Sequence, residues 1–162
     1  MNGFSTNEVI ELAVQIEKSG YAFYQKALQR KDLDEKSKKL LLTLRDDEIN
    51  HEQIFKDLRN ECEIESLFAA GDWQMVGSYL KAISDAHIFS DPDASIRLAV
   101  QAKDFREIII NAISFEKDTL LYFYSLERFV ADSKAKKIVK RIIDEEVTHV
   151  MKLRKLLEES EN

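Results

Sequence analysis

Two Glu-x-x-His pairs interrupt two helix stripes that are otherwise apolar, and this pattern restricts what the chain can fold into. Read in steps of three and four residues, the stripes are Leu41, Leu44, Glu48, His51, Phe55, Leu58, Cys62 and Val139, Ile142, Glu146, His149, Leu153, Leu156. A carboxylate in a stripe that faces a core is costly unless a cation neutralises it. The two pairs therefore predict helices that pack around an internal cation site.

Each pair has a single glutamate upstream, in a further apolar stripe. Glu17 lies 31 residues before Glu48, and Glu116 lies 30 residues before Glu146. The second set repeats the first at an offset of 98 to 99 residues. Similarity at a fixed offset indicates that one helical hairpin has been used twice.

Similar distances from the two hairpin turns place these donors at one height. We expect the turns near Leu33 and Asp132, which lie 14 to 18 residues from the donors on either side. Antiparallel helices rise about 1.5 Å per residue, so similar counts mean similar heights. The predicted metal ligands, all in one layer of the bundle, are Glu17, Glu48, His51, Glu116, Glu146 and His149.

The composition favours an all-α fold, because four glycines and one proline in 162 residues suit long helices better than strands and turns. We predict one domain over 1–162, an antiparallel four-helix bundle made of duplicated hairpins at 5–61 and 104–160 joined by a long crossover at 62–103. Helices are expected at 6–31, 34–61, 104–131 and 133–159, with a short one at 94–102. The predicted N-caps, each followed three residues later by a glutamate, are Ser5, Asp32 and Asp104.

The donor set of four carboxylates and two imidazoles is hard and oxygen-rich, which favours iron or manganese over structural zinc. Two divalent ions balance four ionised glutamates, whereas one ion would leave negative charge uncompensated in the interior. Residues three apart share a helix face, so both members of a Glu-x-x-His pair can reach the same metal. We therefore expect one histidine per metal, with Glu17 and Glu116 as terminal ligands and Glu48 and Glu146 as bridges.

Other polar residues have simpler interpretations. Asp47, Glu52 and Glu145 adjoin the ligands but lie off the stripes, so we expect them to be solvated or to support the ligands. His87 has no partner at ligand spacing and is interpreted as a surface or packing residue. Cys62, the single cysteine, excludes a disulfide within the chain and is expected to pack in its helix stripe.

The net charge of −6 gives no general attraction to nucleic acid or to anionic membranes. No stretch reaches membrane-spanning length and the first residues lack a secretion signal, so we expect a cytoplasmic protein. Basic runs at 36–39 and 134–141 are interpreted as exposed helix faces or as docking sites for an acidic redox partner.

The strings IEKSGYAFY and FEKDTLLYFY, which contain Glu17 and Glu116, resemble those of rubrerythrin-related proteins of the ferritin-like superfamily. The resemblance covers essentially all four helices. It implies a ferritin-like bundle that holds two iron ions, with manganese or mixed occupancy as alternatives. It also implies that Tyr24 and Tyr124, seven and eight residues after these glutamates, hydrogen-bond the ligating carboxylates.

The chain departs from these relatives at three points. It contains no Cys-x-x-Cys pair, so we expect no rubredoxin domain and a separate protein as the electron donor. Thr119 stands where rubrerythrins carry an additional glutamate ligand, which weakens the expectation of a rubrerythrin-type peroxidase. Ile49 stands where bacterioferritins carry a haem-binding methionine, so we expect no haem.

Several functions remain open on the sequence. The expected one is an oxidoreductase that reduces hydrogen peroxide or dioxygen at a non-haem di-iron centre. The alternatives are iron storage with ferroxidase activity, an oxygenase with an apolar substrate pocket, and a metal-free interaction bundle. A homodimer indicates redox catalysis and a closed shell indicates storage; the long crossover favours the homodimer.

Overall fold

The computed structural model describes residues 6–61, 77–80, 82–83, 91 and 93–160. Its helices are α1 (Thr6–Ala27), α2 (Glu35–Glu61), α3 (Ala94–Gln101), α4 (Phe105–Phe129) and α5 (Ser133–Glu159), with further helical residues at 77–80 and 82–83. Every regular element in this part of the chain is a helix, which confirms the all-α prediction. The short helix predicted at 94–102 is α3. The predictions for Ser5, Cys62 and His87 fall outside the described residues.

Two hairpins, α1 with α2 and α4 with α5, pack together as the predicted four-helix bundle. Ala27 at the end of α1 shares an apolar cluster with Ile108 near the start of α4. Val9 near the start of α1 shares the other cluster with Leu126 near the end of α4. α1 and α4 therefore run antiparallel, so α2 and α4 are parallel. The short helix α3, which precedes α4, packs against α1.

A buried polar layer divides the core of the bundle into two apolar clusters. In the cluster at one end, the ring centroids of Phe55 and Phe123 lie 5.0 Å apart. In the cluster at the other end, those of Phe23 and Tyr24 lie 5.3 Å apart. Burial of a large apolar side chain contributes about 1.5–3 kcal/mol, so both clusters stabilise the bundle on either side of the polar layer. Because charged residues interrupt the long helices, none of the described helices combines the length and apolarity needed to cross a membrane.

The turn between α1 and α2 differs from the prediction. Asp34 caps α2, because its carboxylate accepts a hydrogen bond from the Ser37 amide at 2.6 Å. The prediction that Asp32 caps α2 is wrong, because the Asp32 carboxylate instead pairs with Arg30 at 2.5 Å. Arg30 also donates to the carbonyl of Ala102 at 2.9 Å, which ties this loop to the end of the crossover. α1 accordingly ends at residue 27 rather than 31.

The second hairpin follows the prediction more closely. Asp104 caps α4 by accepting a hydrogen bond from the Glu107 amide at 2.9 Å, as predicted. Asp132, where the turn was expected, caps α5 by accepting from the Ala135 amide at 2.7 Å. Each cap satisfies a backbone donor that the first helical turn leaves unpaired. These caps fix where α4 and α5 begin, and so fix the height of the residues that follow.

Candidate metal centre

The structure brings the six predicted ligands together in the middle of the bundle. All of them are at most 1% exposed: Glu17, Glu48, His51, Glu116, Glu146 and His149. Two groups have donor atoms within 4.8 Å of one another, namely Glu48, Glu116, Glu146 and His149, and Glu17, His51 and Glu146. The groups share one carboxylate, so their geometry suits two adjacent cations. The convergence expected from the spacing is present; the role of the residues as ligands stays a prediction.

The two imidazoles face each other across Glu146. His149 Nδ1 forms a hydrogen bond with Glu146 Oε2 at 2.9 Å. His51 Nδ1 lies 2.7 Å from Glu146 Oε1, an ion-pair distance in a geometry that makes no hydrogen bond. The two ring centroids are 6.0 Å apart. Because both Nδ1 atoms point into the cluster, Glu146 is well placed to bridge two cations.

The outer nitrogen of each imidazole contacts an acid from the other hairpin. His51 Nε2 lies 2.7 Å from Glu145 Oε2, and His149 Nε2 lies 3.1 Å from Asp47 Oδ2. Such carboxylates fix the orientation of a ligating histidine and raise its basicity. The sequence interpretation left this role open without identifying the partners. The available signal was position, since each acid directly precedes a predicted ligand in both halves of the duplication.

The carboxylates of the cluster lack the partners that burial demands. No described residue donates a hydrogen bond to Glu17 Oε1, Glu17 Oε2, Glu48 Oε1, Glu48 Oε2, Glu116 Oε2 or Glu146 Oε1. Burial raises the pKa of Glu17, Glu48 and Glu116, and repulsion between the carboxylates adds to it. Oxygen atoms that are buried and unpaired are costly, and carboxylates with imidazoles suit iron or manganese. The donor set therefore fits a pair of such cations.

Protonated histidines balance part of the charge when no cation is bound. Burial alone would lower the pKa of each imidazole, but the neighbouring carboxylates outweigh it and raise the pKa of His51 to about 12 and of His149 to about 10. Burial likewise opposes ionisation of Glu146, but its contacts with both histidines hold its pKa below the usual range. A histidine must lose its proton to bind a metal, so cation binding should release protons.

One of the two predicted tyrosines contacts the cluster and the other does not. Tyr24 is fully buried, and its hydroxyl donates to Glu116 Oε1. Tyr124 is 52% exposed, so its predicted role is wrong. Seven residues are close to two helical turns, whereas an eighth rotates the side chain by roughly 80° away from the ligand. The residue seven positions after Glu116 is Phe123, which is buried and carries no hydroxyl.

A cleft of about 410 Å³ between α2 and α5 reaches the outer side of His149. Its lining is mostly polar or charged: Asp47, Asn50, Ile54, Arg141, Glu145, Thr148, His149 and Lys152. The cleft therefore brings solvent up to the acids that hold the histidines. The inner nitrogen atoms of the imidazoles remain buried.

Comparisons with known proteins agree with this geometry. A family model described as rubrerythrin matches residues 8–157. The chain belongs to the rubrerythrin family. A crystal structure from Thermotoga maritima, described as a "putative ferritin-like diiron-carboxylate protein", matches with a TM-score of 0.70, over 99% of each chain and at 23% identity. At that identity the likeness establishes the ferritin-like fold. No curated protein matches the chain.

Family membership and the buried cluster together fit a di-iron protein. In this member of the rubrerythrin family, the six clustered donors come from all four long helices of the bundle. Ile49, the residue whose identity led us to expect no haem, is 45% exposed. Thr119, the position of the additional rubrerythrin glutamate, is buried next to the ligand-bearing face of α4.

Proposed function

We propose that the chain is a non-haem di-iron oxidoreductase that reduces hydrogen peroxide or dioxygen with electrons from a separate donor. The observation that carries this proposal is the buried group of four carboxylates and two imidazoles, most of whose acidic oxygens have no hydrogen-bond donor among the described residues. A pair of redox-active ions at this position would supply one electron each. They would also offer vacant coordination sites where the oxidant can bind. Manganese is the alternative metal, because it prefers the same donors.

The surrounding protein prepares this site in two ways. Apolar clusters on both sides of the polar layer limit access of water to the donors, which strengthens every electrostatic interaction there. The Asp47 and Glu145 carboxylates hold the outer nitrogen of each imidazole, so that Nδ1 faces the cluster. The histidines are therefore oriented before a cation binds, and little rearrangement is needed.

Tyr24 supports one of the terminal carboxylates. Its hydroxyl donates to Glu116 Oε1, and burial, reinforced by the negative charge of Glu116, raises the pKa of this hydroxyl well above its usual value. Tyr24 therefore keeps its proton across the physiological pH range and acts as a fixed hydrogen-bond donor. This contact leaves Glu116 Oε2, which has no donor among the described residues, available to a cation.

We propose a separate protein as the electron donor. The 162 residues contain one cysteine, and so cannot supply the Cys-x-x-Cys pairs of a rubredoxin-type iron site. The oxygenase alternative calls for an apolar pocket beside the metals. The cleft at His149 does not favour it, because its lining is mostly polar or charged.

The test is to load the protein anaerobically with ferrous iron and follow its oxidation by stopped-flow absorption. We expect about two ions per chain, as charge balance requires, and faster oxidation by hydrogen peroxide than by dioxygen if peroxide is the substrate. Iron taken up well beyond two ions per chain would support storage instead. Light scattering complements this test, since we propose a homodimer and storage implies a closed shell. Absence of stoichiometric metal binding would overturn the proposal.

A further inference from the structure

The two hairpins differ at the position three residues after the upstream glutamate. Gly20 in α1 follows Glu17 by three residues, and Thr119 in α4 follows Glu116 by three residues. A Cβ atom at Gly20 would collide with Glu48 Oε2 and lie 2.5 Å from Glu48 Cδ, closer than real Cβ atoms approach. It would also lie 3.0 Å from Glu48 Oε1, a tight contact. The Glu48 carboxylate therefore occupies the space that the missing side chain leaves open. The sequence interpretation did not identify this contact.

The two carboxylates predicted to bridge are not equivalent in the structure. Glu146 belongs to both donor groups and contacts both histidines. Glu48 belongs to the group with Glu116 and His149, and its carboxylate also lies beside that of Glu17. Neither of its oxygen atoms accepts a hydrogen bond from the described residues. The imidazoles thus hold Glu146 in place. The position of Glu48 depends on the space at Gly20.

We propose that the two metal positions differ in affinity, and that Gly20 is the positioning residue that sets the difference. The position at His149 has four protein donors, because Gly20 lets the Glu48 carboxylate lie there; the position at His51 has three. The position at His149 therefore fills before the position at His51. The position at His51, with fewer protein donors, keeps more coordination sites for exogenous ligands. This inference rests on the proposed function, since it needs a pair of metals.

The variant Gly20→Ala tests the proposal by calorimetric titration of the metal-free protein with Co²⁺ alone, without oxygen. The carboxylate ends a flexible side chain, so the fold can accept the new methyl group by displacing Glu48. We expect two binding events in the natural protein. In the variant, the tighter event should weaken roughly 10- to 100-fold, as when the surroundings of a ligand are disturbed, while the weaker event stays unchanged.

Thr119→Ala is the matched control on the other hairpin. Because the histidines hold Glu146, this variant should keep both binding events. Two outcomes would overturn the inference while leaving the metal centre intact: unchanged titration of Gly20→Ala, or equal weakening of both events. Failure of the natural protein to bind Co²⁺ would overturn the inference together with the proposed function.

A second measurement tests the Gly20–Glu48 contact without metal. Alanine has a higher helix propensity than glycine, so Gly20→Ala should raise the melting temperature in a Glu48→Ala background, where the carboxylate is gone. With Glu48 present, the same substitution should raise the melting temperature of the metal-free protein less, because the Glu48 carboxylate has to move. Equal shifts in the two backgrounds would show that the residues are not coupled, and would overturn the positioning role of Gly20.

Discussion

The hairpin of α1 and α2 and the hairpin of α4 and α5 carry the same donors in different surroundings. Each supplies one glutamate, one Glu-x-x-His pair and an acid that holds the histidine of the other hairpin. The first hairpin, however, has Tyr24 and Gly20 where the second has Phe123 and Thr119. The comparison teaches that a symmetric set of donors does not make a symmetric site, because neighbouring side chains decide where each carboxylate lies.

The two Glu-x-x-His glutamates offer the largest test of this asymmetry. Glu146→Ala should abolish metal binding, because Glu146 belongs to both donor groups and lies between the two histidines. Glu48→Ala should keep both positions and weaken the one at His149, because each position then has three protein donors. Elemental analysis after loading and desalting measures both. Equal losses in the two variants would show that the carboxylates are equivalent after all.

The second test compares the metal-free and metal-loaded protein as a function of pH. His51 and His149 have ordinary pKa values of 6.5, which their carboxylate partners raise to about 12 and about 10 in the folded protein. Between about pH 6.5 and 10 the folded state then binds more protons than the unfolded state, so stability falls as pH rises. The free energy of unfolding should fall by on the order of 1 kcal/mol per pH unit for each histidine.

The glutamates modify this slope without reversing it. Glu17, Glu48 and Glu116 have raised pKa values, so they too favour the folded state at low pH and lose that contribution as pH rises. Glu146 has a lowered pKa, and its contribution is lost only at acid pH. Bound Mn²⁺ should remove the loss of stability. Melting temperatures of the metal-free and Mn²⁺-loaded protein, from about pH 6 to about pH 9, measure this difference. Parallel curves for the two forms would contradict the assignment of His51 and His149 as metal ligands.

The sequence predicted the parts of the site that follow from helix period and duplication. Glu17 and Glu116 could be placed beside the Glu-x-x-His pairs because stripe spacing and distance from the turns fix angle and height. The predicted contact of Tyr124 with a ligand was wrong, because one extra residue rotates its side chain off the stripe. In each of these cases, the spacing of residues along the helices decides where the side chain lies.

Features that depend on contacts between elements were harder to predict. Asp32 and Asp34 are both acceptable caps for α2, and the choice follows from Arg30, which binds Asp32 and the end of the crossover. The contact between Asp47 and His149 joins opposite hairpins, so no local pattern identifies it. The space at Gly20 is likewise visible only once Glu48 is packed against it. Sequence spacing locates the donors, and packing decides their surroundings.

The acids that hold the histidines provide a third, smaller test. Asp47→Asn should weaken metal binding roughly tenfold or more, because the substitution weakens the contact that orients His149. Glu145→Gln should have a smaller effect, because the Glu145 side chain is more exposed than that of Asp47, 46% against 32%, and also lies 3.6 Å from Arg141. Competition with a chelating dye gives the affinities.

Glu52→Gln is the control for these two variants. Glu52 also adjoins a predicted ligand in sequence, but it pairs with Lys56 at 2.5 Å and not with a histidine. Its substitution should therefore leave metal affinity unchanged. A loss of affinity equal to that of Asp47→Asn would mean that net charge near the centre, rather than the histidine contact, is what matters.

The smallest expected effect separates the two tyrosines. Tyr24→Phe removes the hydroxyl that donates to Glu116 Oε1 and leaves a buried acceptor unpaired, which should lower the free energy of unfolding of the metal-free protein by about 1–2 kcal/mol. Tyr124→Phe changes an exposed side chain and should stay within about 0.5 kcal/mol of the natural protein. Urea unfolding measures both variants. If both change stability equally, the hydroxyl of Tyr24 contributes no more than a surface group, and the asymmetry between the hairpins rests on Gly20 alone.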